Sequence, residues 1–510
     1  MMTITDLPND IFLLIVAYLS PRELILSRRV SQQFHDAFTE IELNRHVLLQ
    51  HYPRAHELRN ADQIGCVDWS CLFSKIAGRY HHLKSGVPRS IEKLPLARSF
   101  VVPQWSRNYG VAPWQRHLQF EEKEAPFHYP DTLWTYEEGL LIFPSADLQR
   151  HVLYDLEAGT ISEVDFEPEK KIIRRLRLHQ KVLVVEWCEN EPYHQLNENE
   201  MVYRHFATAY DVVKGKIEDG WKTIFRNEWK IHFLGMPLNS RDRFFSYHTT
   251  QNYALYLWQP NRSAWGEDEP IEALAVWDIS SPSQYLPSQD PSGKGKPDDN
   301  LEGPRVVRRF SFKDLDFYRI RQRSTPVLRG LELDESHVYV IEEDHRWIVG
   351  QQAGHALPRL HKVKTIGIPF VTGPMWVDSC GADGDTSMSF CQRASNSRCQ
   401  NLAPCWRHEE FPYLTITEAR DPNAGVIFSA RHCFMLETIS INLKPKVHMT
   451  GPSYEVSLRD DLWQQLLAKG KICGDERWLV GENAKQEVVV VYFDRSRKNA
   501  IALEMGAKEL

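Results

Sequence analysis

Residues 11–19 read IFLLIVAYL, nine apolar side chains in succession. A helix with that pattern is apolar all round and needs a covering surface on every side. The helical segment that holds it spans roughly 45 residues. Domains of about 60 residues hide only about 60% of the surface their unfolded chains expose, so so small a unit cannot cover this helix by itself. Punctuation predicts three helices. Pro8 fits the first helical position, with Asp10 in the positive first turn. Ser20-Pro21-Arg22-Glu23 has the form of a capping box. Phe34, Ala37, Phe38 and Ile41 recur at i, i+3, i+4 and i+7, one apolar stripe of a third helix begun by Val30 or Ser31.

A longer helix is predicted next. Trp69, Leu72, Phe73, Ile76 and Tyr80 share a face, Asp68 is placed to cap the start, and Gly86 and Pro88 end the run. From about residue 98 the helical period fades. Short runs of Val, Ile, Tyr, Trp and Phe alternate with Gly, Asp, Asn and Pro, which is a strand-and-turn texture. Fourteen of the 15 tryptophans fall in this part, as expected where sheet packs on sheet.

Four segments repeat one idea: HVLYDLEAGTISEV (151–164), ATAYDVVKGKIED (207–219), LAVWDISSPSQYL (274–286) and VVVYFDRSRKNAIAL (489–503). Each runs from an apolar strand to an aromatic–Asp end, a turn and another strand. The Asp can close an Asx-turn while the ring before it packs between sheets. Asp155, Asp211, Asp278 and Asp494 are 56, 67 and 216 residues apart, so three further degenerate units are expected in the last gap. Candidates there are residues 337–343 and 426–443. The pattern resembles the blade repeat of WD-type β-propellers, without their upstream Gly-His pair or even period. The expected fold class is therefore mainly β with an N-terminal α-helical domain. It comprises a three-helix unit over 1–50, a helical connector over 51–97, and an irregular propeller of six to eight blades over 98–510. Residues 282–304 and 381–401 are poor in apolar side chains and read as long unstructured loops, the places where recognition commonly lies.

Within residues 7–38, Leu7, Pro8, Ile11, Ile15, Leu19, Ser20, Leu24, Val30, Ser31 and Phe34 fall in the pattern Leu-Pro, spaced aliphatics, a Leu-Ser-Pro turn, then Val-Ser-x-x-aromatic. This stretch resembles the F-box family. Two departures keep the chemistry: the family's acidic residue is met by Asp10, and its Trp by Phe34. The resemblance implies that Leu7, Pro8, Ile11, Leu14, Ile15, Leu19, Leu24, Val30 and Phe34 dock on a Skp adaptor or brace the helices that do. Through the adaptor they would engage a cullin. The β domain would then present an unknown protein substrate for ubiquitination, with no catalytic group of its own. Alternatives are an F-box scaffold acting outside ubiquitin ligation, or an enzyme with its groups in a propeller channel.

Composition narrows the rest. The formal net charge is −7, without the basic excess of a nucleic-acid binder. Met1 to Asp10 lacks Lys and Arg, unlike a signal peptide, and nine apolar residues fall short of the about 20 that span a bilayer. Nine scattered cysteines read as reduced thiols, so a cytoplasmic or nuclear protein is expected, with no membrane and no nucleic acid among its partners. Cys380, Cys391, Cys399, Cys405 and His408 lack zinc-knuckle spacing. Gly293-Lys294-Gly295-Lys296 lacks the spacing of a phosphate loop, and no hydrolase elbow, metalloprotease or dinucleotide signature occurs. No cofactor, metal or catalytic residue is expected. The sequon at Asn261 has no meaning in a protein that is not secreted. Basic runs at Lys170–Arg177 and Arg305–Arg323 alternate with apolar residues and read as strands whose cations face solvent.

Overall fold

A computed structural model of the chain describes residue 4 and residues 7–63, 68–97, 132–197, 200–215, 220–232, 236–237, 243–259, 269–297, 302–323, 327–347, 359–381, 386–388, 414–433, 436–443, 454–467 and 471–494. N-terminal helices precede a mainly-β, six-blade propeller, the low end of the expected blade count. The chain divides into two compact units, Met1–Pro95 with Thr415–Leu510, and Leu96–Leu414.

The first unit begins with α1 (Asn9–Val16), α2 (Pro21–Ser27), α3 (Gln32–Thr39), α4 (Ile41–His51) and α5 (Trp69–Ser85). The capping box of α2 is present in both directions: Glu23 N donates to Ser20 Oγ, and Ser20 N donates to the Glu23 carboxylate at 2.7 Å. Ser31 caps α3 by accepting from Phe34 N. Two expectations move. Pro8 is the N-cap residue of α1 rather than its first helical residue, because its ψ of 142° is extended. Ile41 does not share the stripe of α3: Glu40 adopts ψ 137°, the helix stops, and Ile41 opens α4 with an exposed side chain. α5 is as the sequence predicts. The Asp68 carboxylate accepts from Ser70 N and Cys71 N at 3.0 Å, and Gly86 closes the helix with φ 65°. α5 then packs on blade 5 of the same unit.

Blade 5 comprises Leu414–Asp421, Val426–Cys433, Leu436–Leu443 and Tyr454–Ser457. Blade 6 comprises Cys473–Gly474, Trp478–Glu482 and Glu487–Tyr492, with Ser90–Pro95 as its fourth strand. That pairing is antiparallel, Ser90 opposite Tyr492 and Pro95 opposite Glu487. The first strand after α5 thus completes the last blade. The run from Val488 to Phe493 is buried throughout, the mark of a strand covered on both faces.

The second unit holds blade 1 (Thr135–Glu137, Leu140–Ser145, Arg150–Asp155, Ile161–Glu163), blade 2 (Lys171–His179, Val182–Glu189, His205–Lys214, Trp221–Lys230) and blade 3 (Arg243–His248, Asn252–Gln259, Ile271–Asp278, Arg305–Phe310). Blade 4 (Leu328–Leu333, His337–Trp347, Arg359–Pro369, Trp376–Gly381) has a fifth strand, Thr386–Met388. Apolar cores lie between successive sheets. Ile142 and Leu153 meet Leu178 and Trp187 between blades 1 and 2, Val184 and Ala209 meet Leu255 and Tyr253 between blades 2 and 3, and Tyr256 and Val276 meet Val338 and Ile366 between blades 3 and 4.

All four aromatic–Asp segments fall on the third strand of a blade: blades 1, 2, 3 and 6. Asp155 accepts from Glu157 N and Ala158 N, and Asp278 from Ser280 N, closing the expected turns. Asp211 does not: its strand continues to Lys214, and the carboxylate pairs with Arg226. The long gap after Asp278 holds two blades rather than three, because blade 4 uses two 11-residue strands and a fifth strand. The candidate segments at 337–343 and 426–443 are strands of blades 4 and 5.

The basic run Lys171–His179 is a strand, but its cations do not all face solvent. A register shift between Ile173 and Arg175 inserts one residue, so Ile173, Leu176 and Leu178 reach one core while Arg175 turns to the other face. Arg175 is buried there, paired with Glu186 at 3.2 Å and bonded to Ser246 Oγ at 2.5 Å. In the second run Arg305 is exposed, whereas the Arg321 side chain is buried among Glu269, Glu272 and Asp316. The described part of 282–304 also departs from expectation. Ser283 N donates to Arg226 O, Ser288 N to the Glu228 carboxylate, and Asp290 accepts from Tyr285, Ser292 and Gly295. Polar side chains fix this segment where apolar ones are scarce. Residues 391–413 and 260–268 lie outside the described residues, and with them most of the Cys380–His408 set and the Asn261 sequon.

Candidate docking surface of the N-terminal helices

α1 divides into two faces. Phe12 and Val16, one turn apart, are buried, and the Phe12 ring meets Phe38 of α3 edge-on at 5.4 Å. On the other side Ile11 and Leu14, three residues apart, are 47% and 66% exposed, and Tyr18, 91% exposed, continues the row in the turn after α1, where its N–H donates to Ile15 O at 3.1 Å. An apolar residue that far open is ordinary when single; three along one short segment are not. α2 adds Leu26 near its C-terminal end, and Val30, 66% exposed, follows in the turn to α3.

The nine residues named from the sequence separate by this test. Pro8, Ile11, Leu14 and Val30 are exposed, and Leu7, Ile15, Leu19 and Phe34 are half-buried. Leu24 is 2% exposed and belongs to the packing beneath. Tyr18 and Leu26 were missed. Tyr18 could have been found from its i+7 relation to Ile11; Leu26 required the actual packing of α2, which buries Leu24 instead.

The surface rests on a polar brace that no pattern announces. The Arg28 guanidinium donates to Phe38 O at 3.2 Å, to Ser74 Oγ at 2.7 Å and to Asn44 Oδ1 at 2.6 Å. It also lies 5.3 Å from the centre of the Phe73 ring. One side chain thus joins α2 to α3, α4 and α5. Burial lowers its pKa, with Asp68 acting in the opposite sense, and a guanidinium remains charged under any such shift. At the α2 start, the Ser20 backbone and hydroxyl bonds hold the exposed Glu23 carboxyl below its ordinary value.

A second brace fixes α5 to blade 6. Arg79 is fully buried, paired with Glu57, with Glu476 at 2.8 Å and with Asp494 at 3.6 Å. Tyr80 Oη donates to Glu476 at 2.5 Å, and His56 N to the same carboxylate at 2.6 Å. Burial holds Glu476 above the usual carboxylate range, which Arg79 only partly offsets. At the more open Glu57 burial acts in the same sense, but Arg79 and Lys75 prevail and hold it well below. Among the described residues no group of three His, Cys, Asp or Glu could hold a metal ion, and no helix is long and apolar enough to cross a membrane.

The family model described as F-box-like matches residues 4–50, the segment that carries this surface. The chain therefore joins an F-box-like domain to a six-blade β-propeller. Among solved structures it is similar to a chain of the mitotic checkpoint complex, at 9% identity and a TM-score of 0.33, covering 80% of this chain and 96% of that one. It is also similar to the β-propeller domain of Myceliophteria thermophila Cps50 (Swd1), at 9% identity and a TM-score of 0.28, covering 71% and 96%. No curated protein matches the sequence.

Proposed function

We propose that this chain is the substrate-recognition subunit of a Skp–cullin–F-box ubiquitin ligase. The observation that carries the reading is the exposed row Ile11, Leu14 and Tyr18 within residues that match the F-box-like model. On this reading Leu7, Pro8, Ile11, Leu14, Ile15, Val30 and Phe34 meet the Skp adaptor, Leu24 supports them from below, and Leu19 closes the turn into α2. The adaptor brings the cullin, and chemistry belongs to the ubiquitin-loading partners. This chain supplies proximity, raising the effective concentration of substrate lysines at the loaded enzyme. Such a ligase subunit would work in the cytoplasm or nucleus.

The test is co-purification of the adaptor and a cullin with the full chain and with Leu14→Asp. The side chain is open to solvent, so the charge leaves folding unchanged while placing an unpaired carboxylate in an apolar interface. A loss of at least about tenfold in adaptor affinity is expected, equivalent to about 1.4 kcal/mol. Undiminished co-purification would overturn the assignment. Retention of the adaptor without any cullin would instead favour a scaffold outside ubiquitin ligation.

A further inference from the structure

One carboxylate of blade 6 holds both the exit of α4 and the helix α5. Glu476 is fully buried and accepts from His56 N at 2.6 Å, from Tyr80 Oη and from Arg79 at 2.8 Å. Tyr80 in turn stacks on Tyr52, the residue that ends α4, with ring centres 4.6 Å apart. Between the two helices Arg59 pairs with Asp421 of blade 5 at 3.2 Å. The crossing of α4 and α5 is thus set by groups of the blades as well as by the helices themselves.

The docking face depends on that crossing. Arg28, at the end of α2, reaches Asn44 of α4 and Ser74 of α5, so α2 keeps its place while those two helices keep theirs. If blade 6 lets go of Glu476's partners, the exit of α4 and the middle of α5 are released together, and the Arg28 bridge loses its fixed ends.

At its other end α5 passes straight into the strand that closes blade 6. Only Gly86–Arg89 lie between α5 and Ser90–Pro95. A Cβ at Gly86 would meet the Ser457 carbonyl of blade 5. Arg89 N donates to Tyr492 O at 2.8 Å, and its guanidinium to Asp494 O at 2.8 Å. So short a connection, fixed at both ends, leaves α5 no slack to shift while the strand stays paired.

We infer that adaptor docking and closure of the last blade are coupled through α5, an inference that rests on the proposed function. An adaptor on α1 and α2 holds Ser90–Pro95 against Glu487–Tyr492, and a chain with that strand released binds the adaptor more weakly by the same factor. The adaptor then selects chains whose last blade is closed, so that the ligase assembles on a finished propeller.

The experiment is hydrogen exchange on the full-length chain, free and with a purified Skp adaptor at about 100 times its Kd, where an opening that releases the adaptor is suppressed about 100-fold. The amides of Ile91–Leu94 and Val488–Val491 are expected to exchange at least about tenfold more slowly with the adaptor, and those of Leu183–Val185 in blade 2 at an unchanged rate. In Glu476→Gln the same strand amides are expected to exchange at least about tenfold faster in the free chain and to be slowed again by the adaptor. Slowing confined to α1–α4, equal slowing in blade 2, or unchanged exchange in Glu476→Gln would each overturn the coupling. Should Glu476→Gln not fold, the wild-type comparison decides alone. The two readings fail differently. An adaptor that does not bind the wild-type chain overturns the proposed function and the coupling with it, whereas one that binds wild type, is lost in Leu14→Asp and leaves the strand amides unslowed overturns the coupling alone.

Discussion

Arg79 shows how much one side chain can decide. It follows Gly78 on a helix whose other buried positions, Phe73, Ile76, Ala77, Tyr80 and Leu83, are apolar or aromatic; the helical period puts it on that face, three residues after Ile76 and four before Leu83, and only its charge argued against an interior place. Its partners Glu476 and Asp494 lie about 400 residues away in sequence. Removing one member of a buried ion network leaves uncompensated charge, which typically costs about 3–5 kcal/mol. Arg79→Leu is expected to lose that much in denaturant unfolding, and Arg79→Leu with Glu476→Leu to lose less, since the stranded carboxylate is gone as well. Equal losses for the single and double variants would mean that Arg79 acts through packing alone.

At the scale of the element, local chemistry was read well where it is local. The capping box at Ser20–Glu23, the Ser31 and Asp68 caps and the Gly86 stop each depend on groups within a few residues of one another, and each is present. Gly86 bears a further constraint: a Cβ added there would meet the Ser457 carbonyl of blade 5. With the left-handed φ of 65°, Gly86→Ala is expected to destabilise by at least about 1–2 kcal/mol, readable as a lower unfolding midpoint at constant m. An unchanged midpoint would show that the helix end can shift away from blade 5. Errors arose where a single residue changed phase. The break at Glu40 took Ile41 off the α3 stripe, and the register shift after Ile173 turned Arg175 inward. Alternation counts residues; it cannot see the inserted residue that reverses the face.

For the whole molecule, the long-range pairing of Ser90–Pro95 with Glu487–Tyr492 makes the N-terminal part a member of the last blade. A chain beginning at residue 98 lacks that strand as well as the Arg79 network. It is expected to exchange the amides of Val488–Val491 much faster than the full chain, by hydrogen exchange, whereas a chain beginning at residue 52 retains both and protects them. Equal protection in the two truncations would show that blade 6 is complete without its fourth strand. Partner-mapping by truncation should therefore keep α5 and the strand after it.

The sequence by itself determined the class of each part. Nine successive apolar residues in a unit too small to cover them already implied an outside partner, although the helix expected over all nine ends at Val16, and the exposed Ile11, Leu14 and Tyr18 follow from that excess. Recurrent aromatic–Asp ends located the third strand of four blades, because strand, turn and ring packing are short-range. Only the tertiary structure decided the rest: two blades in the long gap, Leu24 inside and Tyr18 outside, and the Arg28 and Arg79 braces. These depend on which distant residues meet, and a pattern of polarity along the chain carries no record of that.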